Sequence, residues 1–179
     1  AVEWHNSNLL SKPIINPSEE NTILMDNKLL SYQIGFIRRR LNDNALPTKG
    51  FSLQIFAKAG NKNLIKSTFI DSLTFHSFNP TTAFVQLSLT FEQYQKISKQ
   101  TIFVHKIFLA NIENAALTKN DLFRIGGLRT LRGFNENIFF VKAHAINTME
   151  LRLMTERYSY LFLFADQAIL AEKTKQQLV

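Results

Sequence analysis

Residues 83–92 read Ala83-Phe84-Val85-Gln86-Leu87-Ser88-Leu89-Thr90-Phe91-Glu92. Ala83, Val85, Leu87, Leu89 and Phe91 recur at every second position, with Gln86, Ser88, Thr90 and Glu92 between them. Successive side chains of a strand point to opposite faces, so a period of two describes a β-strand with one apolar and one polar face. The same period appears on both sides of this stretch. Residues 31–41 set Tyr32, Ile34 and Phe36 against Ser31, Gln33 and Gly35. Residues 51–59 set Phe51, Leu53, Ile55, Ala57 and Ala59 against Ser52, Gln54 and Lys58. Residues 142–153 set Ala143, Ala145, Met149 and Leu151 against Lys142, His144, Thr148, Glu150 and Arg152. Residues 158–169 set Leu161, Leu163 and Ala165 against Tyr160, Phe162, Phe164 and Asp166. Residues 101–110 are more uniformly apolar and ambiguous in facing. No helical period and no internal repeat interrupts the series, which predicts an all-β chain of about six to eight strands.

Composition narrows the class. The 179 residues carry 21 Lys+Arg against 14 Asp+Glu, a net charge of +7, and no cysteine. Disulfide frameworks, Cys-ligated zinc and Cys nucleophiles are therefore excluded. With 45% hydrophobic and 20% charged residues, the chain is not a disordered one. A mean hydropathy of −0.08 and the lack of any long apolar run exclude a membrane helix. They leave open a transmembrane barrel, whose alternating strands average to neutral hydropathy. The basic residues are dispersed, apart from Arg38-Arg39-Arg40, and acids such as Asp43, Glu92, Glu113, Glu136 and Glu150 are spread among them. That dispersion describes a solvated surface or a lumen lining, and no nucleic-acid partner is expected. His5, His76, His105 and His144 have no metal-ligand spacing, so neither a metal nor a cofactor is expected. No nucleophile elbow of the Gly-x-Ser-x-Gly kind occurs.

The connections between strands alternate in length. Residues 42–50 form a turn cluster around Asn42, Asp43, Asn44, Pro47 and Gly50. A polar loop follows at 61–82, a short connection at 94–99, a long loop at 112–141 and a tight turn at 155–158. Short turns on one side and long loops on the other are the habit of outer-membrane barrels, and strands of about 9–11 residues suit a tilted crossing. Residues 1–28 are polar, contain Pro13 and Pro17, and read as loop or partial strand without signal-peptide features. Residues 29–170 read as part of a barrel, and 171–179 as a tail or the start of a further loop.

The long loop contains Phe123-Arg124-Ile125-Gly126-Gly127-Leu128-Arg129-Thr130-Leu131-Arg132-Gly133-Phe134. It is apolar where a solvated loop is polar, so it folds onto something. Its paired glycines allow a sharp turn, but their spacing is not that of a phosphate loop. Phe-x-x-Gly-Gly followed by Leu-Arg-Gly-Phe resembles the signature of the outer-membrane assembly factor superfamily (the BamA/TamA-like bacterial surface antigen family). Thr148-Met149-Glu150-Leu151-Arg152 resembles that family's strand with an inward glutamate. Leu163-Phe164-Ala165-Asp166 resembles its next strand, with an inward aspartate. Leu46-Pro47-Thr48-Lys49-Gly50 resembles its Pro-Thr-x-Gly turn. The resemblance covers about residues 29–169. It implies an antiparallel transmembrane β-barrel with the loop 112–141 folded into the lumen, and the loop motif is Gly126, Gly127, Arg132, Gly133 and Phe134. Family barrels have about 16 strands and follow soluble POTRA modules. Nothing in this chain reads as those modules, and its end lacks the closing aromatic strand, so the chain reads as part of a larger barrel.

Strand geometry allows a link between these motifs. A hairpin centred near Arg157, in which Glu150 faces Phe164 and Asp166 faces Thr148, makes the two acids diagonal neighbours on one face. Two such carboxylates repel unless a cation sits between them, and the planar fork of arginine suits that place. The family pattern assigns Arg132 to it, with Glu150 and Asp166 as lumen partners. Arg152 or Arg129 could instead neutralise the acids and leave Arg132 on the surface. On composition alone Glu150 and Asp166 could be a glycosidase pair, but structural pairing with arginine is preferred and no enzymatic activity is expected.

The implied work is folding, insertion or secretion of other proteins at the bacterial outer membrane. The expected partners are the outer-membrane lipid bilayer, client β-barrel or secreted proteins, and accessory outer-membrane proteins. A soluble β-barrel that binds a lipid or a protein is the alternative, with the 16 Phe as its core.

Overall fold

The computed structural model describes residues 2–7, 26–65, 81–115, 117, 119–156 and 159–172. Its strands are β1 (Val2–Ser7), β2 (Asp26–Leu41), β3 (Gly50–Ile65), β4 (Thr81–Lys96), β5 (Thr101–Asn114), β6 (Phe123–Ile125), β7 (Phe139–Val141), β8 (Ala143–Glu156) and β9 (Ser159–Ala171). Seven of them form one sheet in the order β1-β2-β3-β4-β5-β8-β9, while β6 and β7 pair with each other. The pairings of β1 with β2, β5 with β8, and β8 with β9 are antiparallel. The fold class is therefore all-β and antiparallel, as part of a barrel-type sheet. The one helical turn among the described residues is Lys119–Asp121, and no helix there is long and apolar enough to cross a membrane.

The long strands have 13–16 residues, more than the 9–11 expected. Apolar alternation stops where the surroundings change, whereas backbone groups keep pairing for as long as a neighbouring strand offers partners. Strand β3 thus continues through Asn61-Lys62-Asn63, which composition had assigned to the start of the polar loop 61–82. The rest of that loop, 66–80, lies outside the described residues, as do 8–25, 157–158 and 173–179. At the other end of the hairpin, the turn between β2 and β3 is held by its own side chains. Asn42 Oδ1 accepts hydrogen bonds from the amides of Thr48 (3.0 Å) and Lys49 (2.9 Å), and Asp43 Oδ1 accepts from Ala45 N (2.7 Å).

The chain divides into two compact units, each described by itself. The first comprises Ala1–Ile34, Ala57–Gln86 and Ile112–Leu122; the second comprises Gly35–Phe56, Leu87–Asn111 and Phe123–Val179. In the second unit the registers stack whole rows across three strands. Ile102 pairs with Arg152 and Arg152 with Phe162; Val104 pairs with Glu150 and Glu150 with Phe164; Lys106 pairs with Thr148 and Thr148 with Asp166. The alternate row pairs Phe103 with Leu151 and Leu151 with Leu163.

These two faces carry the opposite polarity to that of a sheet in water. Leu163 and Ile169 are 75% and 77% exposed, and Leu87, Met149, Leu151, Leu153 and Leu161 are exposed with them. Glu150 and Arg152 on the other face are 5% and 6% exposed. A half-solvated soluble sheet turns its apolar face inward, and this one turns it outward. The outward face has one polar rung, in which His105 Nε2 lies 2.7 Å from Asn147 Oδ1 and Asn147 Nδ2 donates to Gln167 Oε1 at 3.3 Å. These polar groups bond to one another.

Among the described residues, two apolar clusters lie on the covered face. One joins Ile125, Leu131 and Val141 of the long connection to Ile146 of β8, with Phe108, Phe123, Phe139, Ala168 and Leu170 around them. The other joins Tyr94, Ile102 and Val104. Urea unfolding in detergent checks this placement. Ile102→Ala is expected to cost about 2–5 kcal/mol. Ile169→Ala is expected to cost less than about 1 kcal/mol, although it removes the same atoms.

Candidate functional site

The connection between β5 and β8 is ordered by short-range contacts before it reaches the sheet. Gly126 N donates to Thr130 Oγ1 (2.8 Å), and that hydroxyl donates back to the Gly126 carbonyl at 2.8 Å. Gly127 has φ of +89°, and a Cβ there would fall on the Glu136 carboxylate. That carboxylate also accepts from Leu128 N at 3.2 Å. Only glycine combines this backbone angle with that close approach. Gly133, also at φ +89°, turns the chain immediately after Arg132. Phe134 is half exposed and packs edge-on against Phe139, with ring centroids 5.2 Å apart. The β6–β7 pairing closes this lobe of the loop (Phe123 with Val141, Ile125 with Phe139).

Arg132 leaves this lobe and meets both strand acids. Its Nε donates to Asp166 Oδ2 at 2.8 Å and its Nη2 to Asp166 Oδ1 at 2.6 Å, a two-pronged fork. Its Nη1 donates to Glu150 Oε1 at 2.8 Å, and its backbone N donates to Asp166 Oδ2 at 3.1 Å. The guanidinium lies 3.9 Å from the centroid of the Phe164 ring, within cation–π range. The side chains of Arg132, Glu150 and Asp166 are 12%, 6% and 3% exposed, so little water screens these charges. The hydrogen bonds from Arg132 to Asp166 raise the arginine above its already high ordinary value, so it carries its charge at any physiological pH.

A second arginine completes the network. Arg152 donates to Glu150 Oε2 through Nε (2.9 Å) and Nη2 (2.6 Å) and lies 4.7 Å from the Tyr160 ring. Lys106 stands 3.8 Å from Glu150 Oε1, Thr148 pairs across the strands with Asp166, and Tyr94 donates to Glu92 at 3.0 Å. Glu150 is thus shared by two guanidiniums, and of the three arginines weighed from sequence Arg132 and Arg152 touch it. Arg129 is exposed. The signal for Arg152 was its place two residues beyond Glu150, on the same strand face.

Within the first unit a different ion pair holds the start of the same connection. Buried Lys62 of β3 reaches Asp121 of the short helical turn. Nearby, Asn114 Nδ2 donates to Thr82 Oγ1 (3.1 Å) and to the Ala83 carbonyl (3.0 Å). Sequence reading missed Lys62 because the polar run around it has no apolar period. Among the described residues no group of three His, Asp or Glu side chains is placed to hold a metal ion. The two acids of the arrangement are hydrogen-bonded to arginine.

Apolar residues on the outward side, charge on the covered side and a glycine-turned loop clamped over that charge define a barrel-type β-sheet protein of the outer-membrane kind. The chain belongs to the Omp85 superfamily, whose domain matches residues 9–178. Members of that family are outer-membrane proteins that assemble or translocate other proteins, without enzymatic chemistry. The chain matches none of the curated proteins with which it was compared.

Removing one partner of a buried ion network leaves an uncompensated charge, which costs about 3–5 kcal/mol. Arg132→Ala is expected to lose stability on that scale and to expose residues 126–138 to limited proteolysis. Arg132→Lys restores only part of both, because an ammonium cannot make the fork to Asp166. The Lys62–Asp121 pair predicts a separate effect. Lys62→Met or Asp121→Asn opens the segment 119–122 to protease, and the exchange Lys62→Asp with Asp121→Lys closes it again.

Proposed function

We propose that this chain is part of the membrane-spanning barrel of an assembly or translocation factor in the outer membrane of a Gram-negative bacterium. The observation that carries this reading is the inverted polarity of the sheet. Its exposed face is apolar, while its covered face buries a balanced network of arginines and acids. In a bilayer the exposed face meets acyl chains, and the network lies in the lumen under the loop 112–141. Membership of the Omp85 superfamily supports the same assignment.

The proposed mechanism involves no bond chemistry. A barrel with a weakly closed seam offers strand edges whose unpaired N–H and C=O groups can template an incoming strand of a client protein. The loop motif Gly126, Gly127, Arg132, Gly133 and Phe134, clamped through Glu150 and Asp166, plugs and gates the lumen during that exchange. Clients are β-barrel or secreted proteins, with accessory outer-membrane proteins as further partners.

Fractionation of cells that produce the full-length protein tests this reading. It is expected in the outer-membrane fraction, resistant to carbonate extraction, and with heat-modifiable migration in detergent gels. Depletion is expected to lower the amount of folded client barrels or of a secreted protein. Recovery of the protein in the soluble fraction without detergent would favour a soluble lipid- or protein-binding barrel and refute the membrane reading.

A further inference from the structure

The strand ends beside the turn 42–49 carry a charge pattern that the lumen network does not use. Phe36, Arg38 and Arg40 alternate along β2, so they share one face, and each step between them is about 6.7 Å. All three are exposed. The Arg38 guanidinium stands 5.9 Å from the Phe51 ring centroid, which places it on the face of Phe51 and opposite buried Ser52. Ile55, farther along β3 on that face, is exposed. The outward face of this unit therefore passes from apolar to doubly cationic within about two alternate residues, roughly 13 Å.

Other cations gather at the same ends of the strands. Lys49, Lys96 and Lys99 line a groove of about 670 Å³ with Phe51 and Ile97. The carboxylates nearest in the chain are engaged elsewhere: Asp43 accepts turn amides, and Glu92 accepts the Tyr94 hydroxyl. Among the described residues, none of Arg38, Arg40, Lys49, Lys96 and Lys99 is in an ion pair.

We propose that Arg38, Arg40 and Lys49 bind the headgroup phosphates of anionic phospholipids in the leaflet on the short-turn side of the membrane. The proposal rests on the membrane reading above. A band of apolar side chains ending in arginines matches the passage from acyl chains to phosphates, because arginine lays its stem on the apolar surface and its fork on the headgroup. In barrels of this type the short turns face the periplasm, so the leaflet is the inner one. Phe51 supplies the floor under Arg38, and the groove beside it, with its three lysines and Ile97, accommodates the glycerol and the start of an acyl chain.

Spin-labelled lipids measure this selectivity directly. The full-length protein is reconstituted in bilayers of phosphatidylcholine alone and of phosphatidylcholine with phosphatidylglycerol. Its insertion into both is checked by heat-modifiable migration. The wild-type protein is expected to retain labelled phosphatidylglycerol several-fold over labelled phosphatidylcholine, with the preference shrinking as salt rises. Arg38→Gln with Arg40→Gln brings the ratio to about one, whereas Arg38→Lys with Arg40→Lys keeps most of it. Arg129→Gln, a change of the same charge on an exposed loop, leaves it unaltered. An inserted wild-type protein that shows no preference overturns the lipid site, and so does a preference that survives the double glutamine change. Failure to insert into either bilayer instead overturns the membrane reading, and the lipid site with it.

Discussion

Glu150 and Asp166 lie on one face of the β8–β9 hairpin, one register step apart, and both are almost fully buried. Carboxylates at such a separation repel strongly where water is scarce, so the face is stable only with cations placed between and around them. Arg132 meets that need with a fork to Asp166 and a third hydrogen bond to Glu150. Because this arginine belongs to the loop rather than to the sheet, its charge balance fixes the course of the chain. The loop cannot lift without stripping Asp166 of its guanidinium and leaving Glu150 to Arg152 and Lys106 alone. The backbone N–H of Arg132 on Asp166 and the cluster of Ile125, Leu131 and Val141 on Ile146 hold the surrounding segment in the same position.

The second arginine makes the network balanced rather than merely paired. Glu150 divides its oxygens between Arg132 and Arg152, and Arg152 rests on the Tyr160 ring. Two guanidiniums thus face two carboxylates, with Lys106 at the margin. This concentration of charge on a covered face has its complement in the leucines and isoleucines of the exposed one. The two observations are two sides of one arrangement, in which the apolar side chains face outward and the charged ones are covered. The His105–Asn147–Gln167 rung is consistent with it, since polar groups on the outward face bond to one another.

Much of this was legible from residue order. The alternation of Ala83, Val85, Leu87, Leu89 and Phe91 identified a strand, and the exposed positions of Val85 and Leu87 follow that alternation. The hairpin register that pairs Glu150 with Phe164 and Thr148 with Asp166 could be drawn from the parity of apolar positions and a turn near Arg157. Strand lengths could not, because β3 runs on through 60–65 after the period read over 51–59 has ended. The pairing of β6 with β7 was also invisible, since three-residue strands are shorter than any readable period. Lys62 and Asp121 lie 59 positions apart, and no local signal joins them.

By itself, the order of residues determined the fold class and the two chemical faces, because a period of two is imposed by the backbone of a single strand and needs no partner. It also marked the glycines and the arginine of the loop as unusual, since an apolar loop with paired glycines must fold onto something. Only the tertiary structure decided which arginines meet which acids. Arg129, Arg132 and Arg152 are equivalent in charge and close in sequence, and their separation into one exposed residue and two buried ones depends on where the turn at Gly133 aims the chain. It also decided which face is covered, because alternation defines two sides of a strand without saying which of them the rest of the chain will shield.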